Sequence, residues 1–467
     1  MQQSSARANS PLLNAPIPGL MRQIATPVSI GAFFNTMFNV VDTIYGGAIS
    51  DEALAALSLS FPIFFIIFAL GIGFSTGNTA LMGNALGRGD EETGQRYAIQ
   101  GLIFGLIISL ITTVLILAAA PALVGLLGAE DPTYQAMTLA YIRPIFYGAV
   151  FFITVSMLQA ILNTLGRTKP GRNFLVAGFI LNLALDPWFI FGGLGLPAMG
   201  ITGIALATVL VQFLGCIYLG YEVAHTELVT WESIRRFWKP SPKYLLNIAR
   251  QGFPNTVDSM GTSLGFFVLT YFVARFGQPS VAALGAGSRI EQIFLLPLLG
   301  LNVAVLSLIA RNNGAGQLDR VQETYRTALR YGSTIMFVTM ILAWLLAWPL
   351  IRLFTDDPYI IATGITYVRI RTLGLIPNAL FFMSASAMRG LQRPVPALIL
   401  NLLRFVVLPY LFIVLFVEVL DYGLTSIFVS STTAFVLTAI AALLTARRIL
   451  PKPAADGEFS SGPGEAV

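Results

Sequence analysis

Five oxygen-bearing side chains in the first half of the chain stand where polar chemistry is expensive. Asp42, Asp186, Asn182 and Thr208 fall within long apolar stretches, and Tyr141 enters another at a comparable level. A charge in the hydrocarbon layer costs roughly 2.5–3.5 kcal/mol on insertion scales, so an intramembrane carboxylate is a functional candidate. Asn182 precedes Asp186 by one helical turn and shares its face. Two carboxylates, a carboxamide and a hydroxyl can coordinate a small hard cation, which makes Asp42, Asn182, Asp186 and Thr208 candidate metal ligands if the ion is Na+. The two carboxyls can instead share a proton and titrate as a pair. A structural role, with Asp186 satisfying a kink beside Pro187, is the competing reading.

Little else in the chain could do chemistry. One cysteine, Cys216, and one histidine, His225, leave no internal disulfide and no Cys/His metal site to assemble. His225 sits between Glu222 and Glu227 and reads as a solvated helix end. No phosphate-binding Gly-Lys-Ser/Thr loop or dinucleotide-binding glycine fingerprint is present. The chain is therefore expected not to be an enzyme, and to use no cofactor, only H+ or Na+ as a coupling ion. A net charge of +5 over 467 residues is too dilute for a nucleic-acid surface.

A membrane-spanning frame must position the five residues. Apolar residues make up 55% of the chain and charged residues 11%, against about 25% charged in soluble proteins. Segments of about 20 apolar residues cross a bilayer as helices. Twelve are read at roughly 24–48, 54–80, 98–124, 137–162, 173–193, 199–223, 250–275, 281–309, 327–350, 360–387, 396–417 and 423–446. The loops alternate in charge. One set holds Arg167, Lys169 and Arg172, then Arg235, Arg236, Lys239 and Lys243, and goes with Arg7, Arg447, Arg448 and Lys452 in the tails. The other holds Asp51–Glu52, Glu130–Asp131 and Asp356–Asp357, with only Arg275 and Arg352 as cations. The positive-inside rule then puts both termini in the cytoplasm of a multi-pass cell-membrane protein. Residues 1–20 are polar and lack a short apolar core, so no cleaved signal peptide is expected.

The frame is repeated. A shift of about 227 residues lays Pro27 on Pro254, Asp131-Pro132 on Asp357-Pro358, and Tyr141-Ile-Arg143 on Tyr367-Val-Arg369. The expected fold class is an all-α integral membrane protein of twelve transmembrane helices, in two six-helix lobes related by an internal parallel repeat. Its domains are read as a cytoplasmic tail (1–20), an N-terminal lobe (21–224), a basic cytoplasmic linker (225–249), a C-terminal lobe (250–448) and a cytoplasmic tail (449–467). Leu269 and Leu408 stand where the first half has Asp42 and Asp186, so the ion site is expected once. Two halves around a central cavity can rock against each other, as in transporters. A monomer in the lipid bilayer suffices for that.

Asp258, Arg289, Glu291, Arg369, Arg371 and Arg404 charge the second half, and are read as a salt-bridge network within that lobe. For a substrate cleft, Met37, Phe38, Phe64, Phe65, Phe68, Met157, Asp258, Phe266, Phe267, Phe294 and Met383 are the candidates, since Met and aromatic surfaces adapt to varied small-molecule shapes. Core packing or lipid contact is the alternative for each apolar one, and the salt-bridge network for Asp258.

Taken in order, the motifs resemble the multidrug and toxic compound extrusion (MATE) family over about residues 20–447. They are Pro27 with Asp42-Thr-Ile-Tyr-Gly-Gly, Gly71-Ile-Gly, Asn84-Ala-Leu-Gly-Arg-Gly-Asp, Asn163-Thr-Leu-Gly-Arg-Thr-Lys-Pro170, Asn182-Leu-Ala-Leu-Asp186-Pro187 and Gly200-Ile-Thr-Gly-Ile-Ala-Leu-Ala-Thr208. The resemblance implies an H+- or Na+-coupled antiporter exporting amphipathic, often cationic, drugs or toxic organic compounds by alternating access between V-shaped lobes. Position by position, Asp42, Asn182, Asp186 and Thr208 match the family's N-lobe cation site, with Tyr141 beside them. The set resembles the DinF-like branch; the Glu that the NorM-like branch places in the seventh span is absent. The alternative in the same superfamily is a flippase for lipid-linked precursors, which would need a cationic cleft built from Arg143, Arg369, Arg371 and Arg404.

Overall fold

The structure, a computed structural model, describes residues 10–126, 131–193 and 195–451. Most of both expected tails (1–9 and 452–467, with Arg7 and Lys452) and Glu130 lie outside the described residues. In chain order the spanning elements are α1 (Ile17–Ile49), α2 (Asp51–Gly87), α3 (Glu91–Leu126), α4 (Pro132–Tyr147 with Ala149–Thr164), α5 (Lys169–Phe191), α6 (Ile201–Ala224), α7 (Pro242–Ala274), α8 (Gln278–Gly314), α9 (Leu318–Arg352), α10 (Pro358–Leu373 with Leu375–Gly390), α11 (Pro394–Val419) and α12 (Thr425–Ile449). Ten are single helices long and apolar enough to cross a membrane; α4 and α10 are pairs bent by 47° and 45°, which brings the number to twelve. No strand occurs among the described residues. The chain is an all-α multi-pass membrane protein.

Local chemistry explains the two bends. Pro144 has no N–H for the carbonyl of Ala140, and Thr202 on α6 supplies a hydroxyl to it instead, at 3.4 Å. Gly148 then ends the first half of α4, and Gly374 marks the equivalent break in α10. Around the outside, side chains such as Leu110, Leu115 and Leu345 are more than 60% exposed. That pattern suits lipid as the outer solvent, since acyl chains penalise no exposed leucine.

Helix α1 belongs to both lobes. Its first turns, Ile17, Leu20, Met21, Ile24 and Ala25, are buried in the same apolar cluster as Leu298, Leu301, Val305 and Met383 of the C-terminal lobe. Residues 10–20, read from sequence as part of a tail, therefore include buried packing at Leu12, Leu13 and Ile17. Beyond Pro27 the helix turns its contacts to α5: a Cβ on Gly31 would sit 2.9 Å from the Leu175 side chain. One continuous helix, with Pro27 inside it, thus connects the interlobe contact to Asp42.

At the end of the molecule where the described chain starts and stops, the lobes close on each other through small residues. Along α2, a Cβ on Gly77 would lie 2.6 Å from the Gly252 nitrogen of α7, and one on Gly83 would lie 2.7 Å from Ala310 of α8. Backbones approach this closely only where side chains are absent. Asn84 seals the contact, donating to the Gly390 carbonyl at 2.9 Å and accepting from Asn313 at 2.6 Å. The stretch between lobes folds as a short helix, Trp231–Phe237, held to α3 by Gln100, which donates to the carbonyls of Phe237 and Lys239 at 2.7 and 2.8 Å.

Candidate functional site

The structure brings Asp42, Asn182, Asp186, Thr208 and Tyr141 together inside the N-terminal lobe. Asp186 and Asn182 are fully buried, Thr208 is 4% exposed, and Asp42 and Tyr141 are 8% exposed. Helix periodicity sets the pairings. Asn182 donates through Nδ2 to Asp186 Oδ1 at 2.9 Å, one turn along α5. On α6, Thr208 shares its hydroxyl between the Ile204 carbonyl, 3.0 Å away, and Asp42 Oδ2 at 3.5 Å. Tyr45 ties α1 to α5 through the Leu183 carbonyl at 3.3 Å, which keeps the two acidic helices in register.

Within this pocket three buried oxygens have no hydrogen-bond partner among the described residues: Asp42 Oδ1, Asp186 Oδ2 and Asn182 Oδ1. Neither aspartate forms an ion pair with a described residue. Buried charge without a counter-charge is costly, so such a pocket is complete only with a cation or protons. Its unpartnered acceptors are all oxygens, which suits a hard ion. The donor set therefore fits both H+ and Na+.

The pocket opens into a cavity of about 320 Å3 lined by Phe38, Phe61, Phe64, Phe65, Phe68 and Tyr141, among others. Of the residues read from sequence as cleft candidates, Phe38, Phe64, Phe65 and Phe68 face this space. Met37 is half-buried outside its lining. Met157 and Met383 are corrected to core positions, 1% and 0% exposed, each filling the room left by a glycine (Gly105 and Gly332). Phe294 packs against the C-terminal core, while Phe266 and Phe267 are exposed on α7 away from the cavity. Polar wall residues that sequence reasoning passed over are Asn35, Asn39, Gln212 and Gln292. The signal existed for two of them: Asn35, Asn39 and Asp42 recur at helical spacing in α1.

The second lobe is built differently at the matching place. Glu291 accepts from Arg371 at 2.7 Å and from the Tyr367 hydroxyl at 2.7 Å, so its charge is closed. Asp258 is held by Arg389 at 2.5 Å rather than facing the cavity. A π-helical turn, Leu403–Val407, carries Arg404 into the core, where it donates to Asn378 at 2.6 Å and lies over the rings of Phe435 and Phe381 at 3.9 and 4.4 Å. Of the expected salt-bridge network, Glu291 pairs with Arg371 and Asp258 with Arg389, while among the described residues Arg404 has a hydrogen bond but no ion pair and Arg369 is exposed and in none. Arg289, two residues from Glu291, takes no part in it.

Two repeated halves, a one-sided acidic pocket and an aromatic cavity walled by the N-terminal half with Gln292 from the other are consistent with a transporter. The model of the family described as MatE matches residues 27–188 and again 254–415, once in each lobe. The chain belongs to the MatE family. It is a membrane transporter, not an enzyme. Among relatives of this MatE protein, the FAD transporter of Shewanella oneidensis is 27% identical over 403 residues, covering 85% of this chain and 87% of that one. The probable multidrug resistance protein NorM of Thermotoga maritima is 26% identical over 383 residues and covers 81% of each. A solved MOP-superfamily transporter from Pyrococcus furiosus, whose binding pocket is described as of reverse polarity, superposes with a TM-score of 0.87 at 26% identity, covering 94% of this chain and 97% of that one.

Proposed function

We propose that the protein is an H+- or Na+-coupled antiporter of the DinF-like branch, exporting amphipathic drug-like compounds by alternating access. The observation that carries this reading is the set of unpartnered oxygens on Asp42, Asp186 and Asn182 beside an aromatic cavity. Both termini face the cytoplasm in this reading, and the closed interlobe contact at Asn84 lies on that side. The cavity is then open to the outside and loads a cation after releasing its substrate. Neutralising Asp42 and Asp186 changes what α1 and α5 can tolerate at close range. Helix α1 carries that change past Pro27 to the interlobe contact. A ligand shifts such an equilibrium only by its different affinity for the two states, so the cation and the substrate must prefer opposite ones. Each charge entering down a membrane potential supplies about 2.3 kcal/mol per 100 mV.

Multidrug resistance is named for the NorM relative and multidrug export for the MepA relative of Staphylococcus aureus, and the aromatic lining suits export of such compounds. A flippase of lipid-linked precursors is less well supported, because Arg371 is occupied by Glu291 and Arg404 is enclosed by rings. Proteoliposomes given an imposed Na+ gradient, then an imposed H+ gradient, test the reading. One of the two gradients is expected to drive accumulation of a fluorescent dye; flux indifferent to both would refute coupling.

A further inference from the structure

Arg289 is a cation with no partner, about a third of the way along the membrane-spanning helix α8. It is exposed, and no described side chain pairs with it or accepts a hydrogen bond from it. Its direction follows from its neighbours on α8. Gly287 abuts the Tyr367 ring and Glu291 accepts from the Tyr367 hydroxyl, so that face looks into the C-terminal lobe. Two residues rotate a helix by about 200°, which turns Arg289 away from the lobe interior. Eleven residues bring the helix back to nearly the same face, and there Gly300 packs against Ala25 and Ser29 of α1. By helical spacing Arg289 falls on the same side of α8 as Gly300, about 16 Å nearer the start of that helix, and just outside the cavity lining that Gln292 joins. Gln292, three residues on, lines the aromatic cavity together with Asn35, Thr36 and Asn39 of α1.

An unpaired guanidinium at this depth is tolerable only in water or opposite an anion. The facing wall of α1 offers amides and hydroxyls but no carboxylate except Asp42, whose partners lie in its own pocket. We propose that Arg289 is a substrate-binding residue, and that the cleft takes aromatic compounds carrying an anionic group such as a carboxylate or phosphate. The rings of Phe61, Phe64, Phe65 and Phe68 hold the apolar body, and Gln292 adds a hydrogen bond beside the anion. This inference rests on the antiporter reading for the direction of transport only; binding at equilibrium is independent of it.

The test uses the purified full-length protein in neutral-lipid nanodiscs, without any gradient. Carboxyfluorescein and rhodamine 6G share a xanthene ring system and differ in charge. Arg289→Gln is expected to weaken carboxyfluorescein binding by at least about tenfold, as loss of a charged hydrogen bond would, with rhodamine 6G binding unchanged or tightened and Arg289→Lys largely restoring the anion. Equal weakening of both dyes, or no carboxyfluorescein binding by the unsubstituted protein, would overturn the proposal. So would displacement of the anion by anionic phospholipid added to the discs, which would assign Arg289 to a lipid headgroup. Dye binding that follows Arg289 while flux ignores cation gradients would leave this inference standing and remove the antiporter reading.

Discussion

Tyr141 and Tyr367 hold equivalent places in the two lobes, and both are buried, yet they face opposite electrostatic situations. Tyr367 donates to Glu291, whose charge Arg371 closes at 2.7 Å. Tyr141 lines the cavity at Asp42, where no arginine or lysine completes the pocket. The duplicated frame thus carries one sealed ion pair and one open pair of acids. In the proposed cycle, that asymmetry would separate a lobe that keeps its charges closed from one that responds to the cation.

The sealed pair makes a stability prediction. Removing one partner of a buried ion pair costs about 3–5 kcal/mol because the other charge is stranded. Glu291→Gln is expected to lower the thermal unfolding temperature markedly, whereas Glu291→Leu combined with Arg371→Met should recover much of the loss. Folded double variant should still transport in response to the cation gradient. A double variant less stable than either single one would contradict the assignment.

A contrasting case is Arg275 with Glu418, which links α7 to α11 with both side chains nearly half exposed. Exposed pairs contribute about 0–1 kcal/mol. Glu418→Gln should leave both unfolding temperature and transport almost unchanged.

At the interlobe contact, Gly77 has room for no side chain beside Gly252. Gly77→Val is expected to prop the closed end apart and cut transport by an order of magnitude or more, since even about 1.4 kcal/mol shifts a two-state population tenfold. Dye binding measured at equilibrium should survive. Retained transport at the normal rate would mean that closure here is not part of the cycle.

Within the acidic pocket, Thr208→Val removes the hydroxyl near Asp42 Oδ2 while keeping the volume. A neutral ligand to the cation is lost but both carboxyls remain. The cation concentration giving half-maximal flux should rise severalfold, with maximal flux preserved. An unchanged cation dependence would exclude Thr208 from the site.

The frame was legible in the sequence because lipid imposes a strict code: long apolar runs, alternating loop charge and a repeat anchored by Pro27 and Pro254. The acidic pocket was legible because charge within such runs is so costly that Asp42 and Asp186 had to be accounted for. Contact partners were not. Glu291 is close to Arg289 in sequence, but helical rotation turns them apart and gives Glu291 to Arg371 on α10. Met157 and Met383 were candidate cleft residues by type, yet type alone cannot tell a cavity wall from a core where a glycine opposite leaves space. The interlobe reach of α1 was hidden as well, since its first turns look like any polar-to-apolar boundary.

The central claim is that the pocket shared by Asp42 and Asp186 holds the coupling cation. Its most direct test is dye accumulation in proteoliposomes under an imposed cation gradient, comparing the unsubstituted protein with Asp42→Asn and following equilibrium dye binding alongside. Gradient-driven accumulation should vanish in Asp42→Asn while the protein stays folded and still binds dye. Undiminished accumulation by that variant would contradict the account.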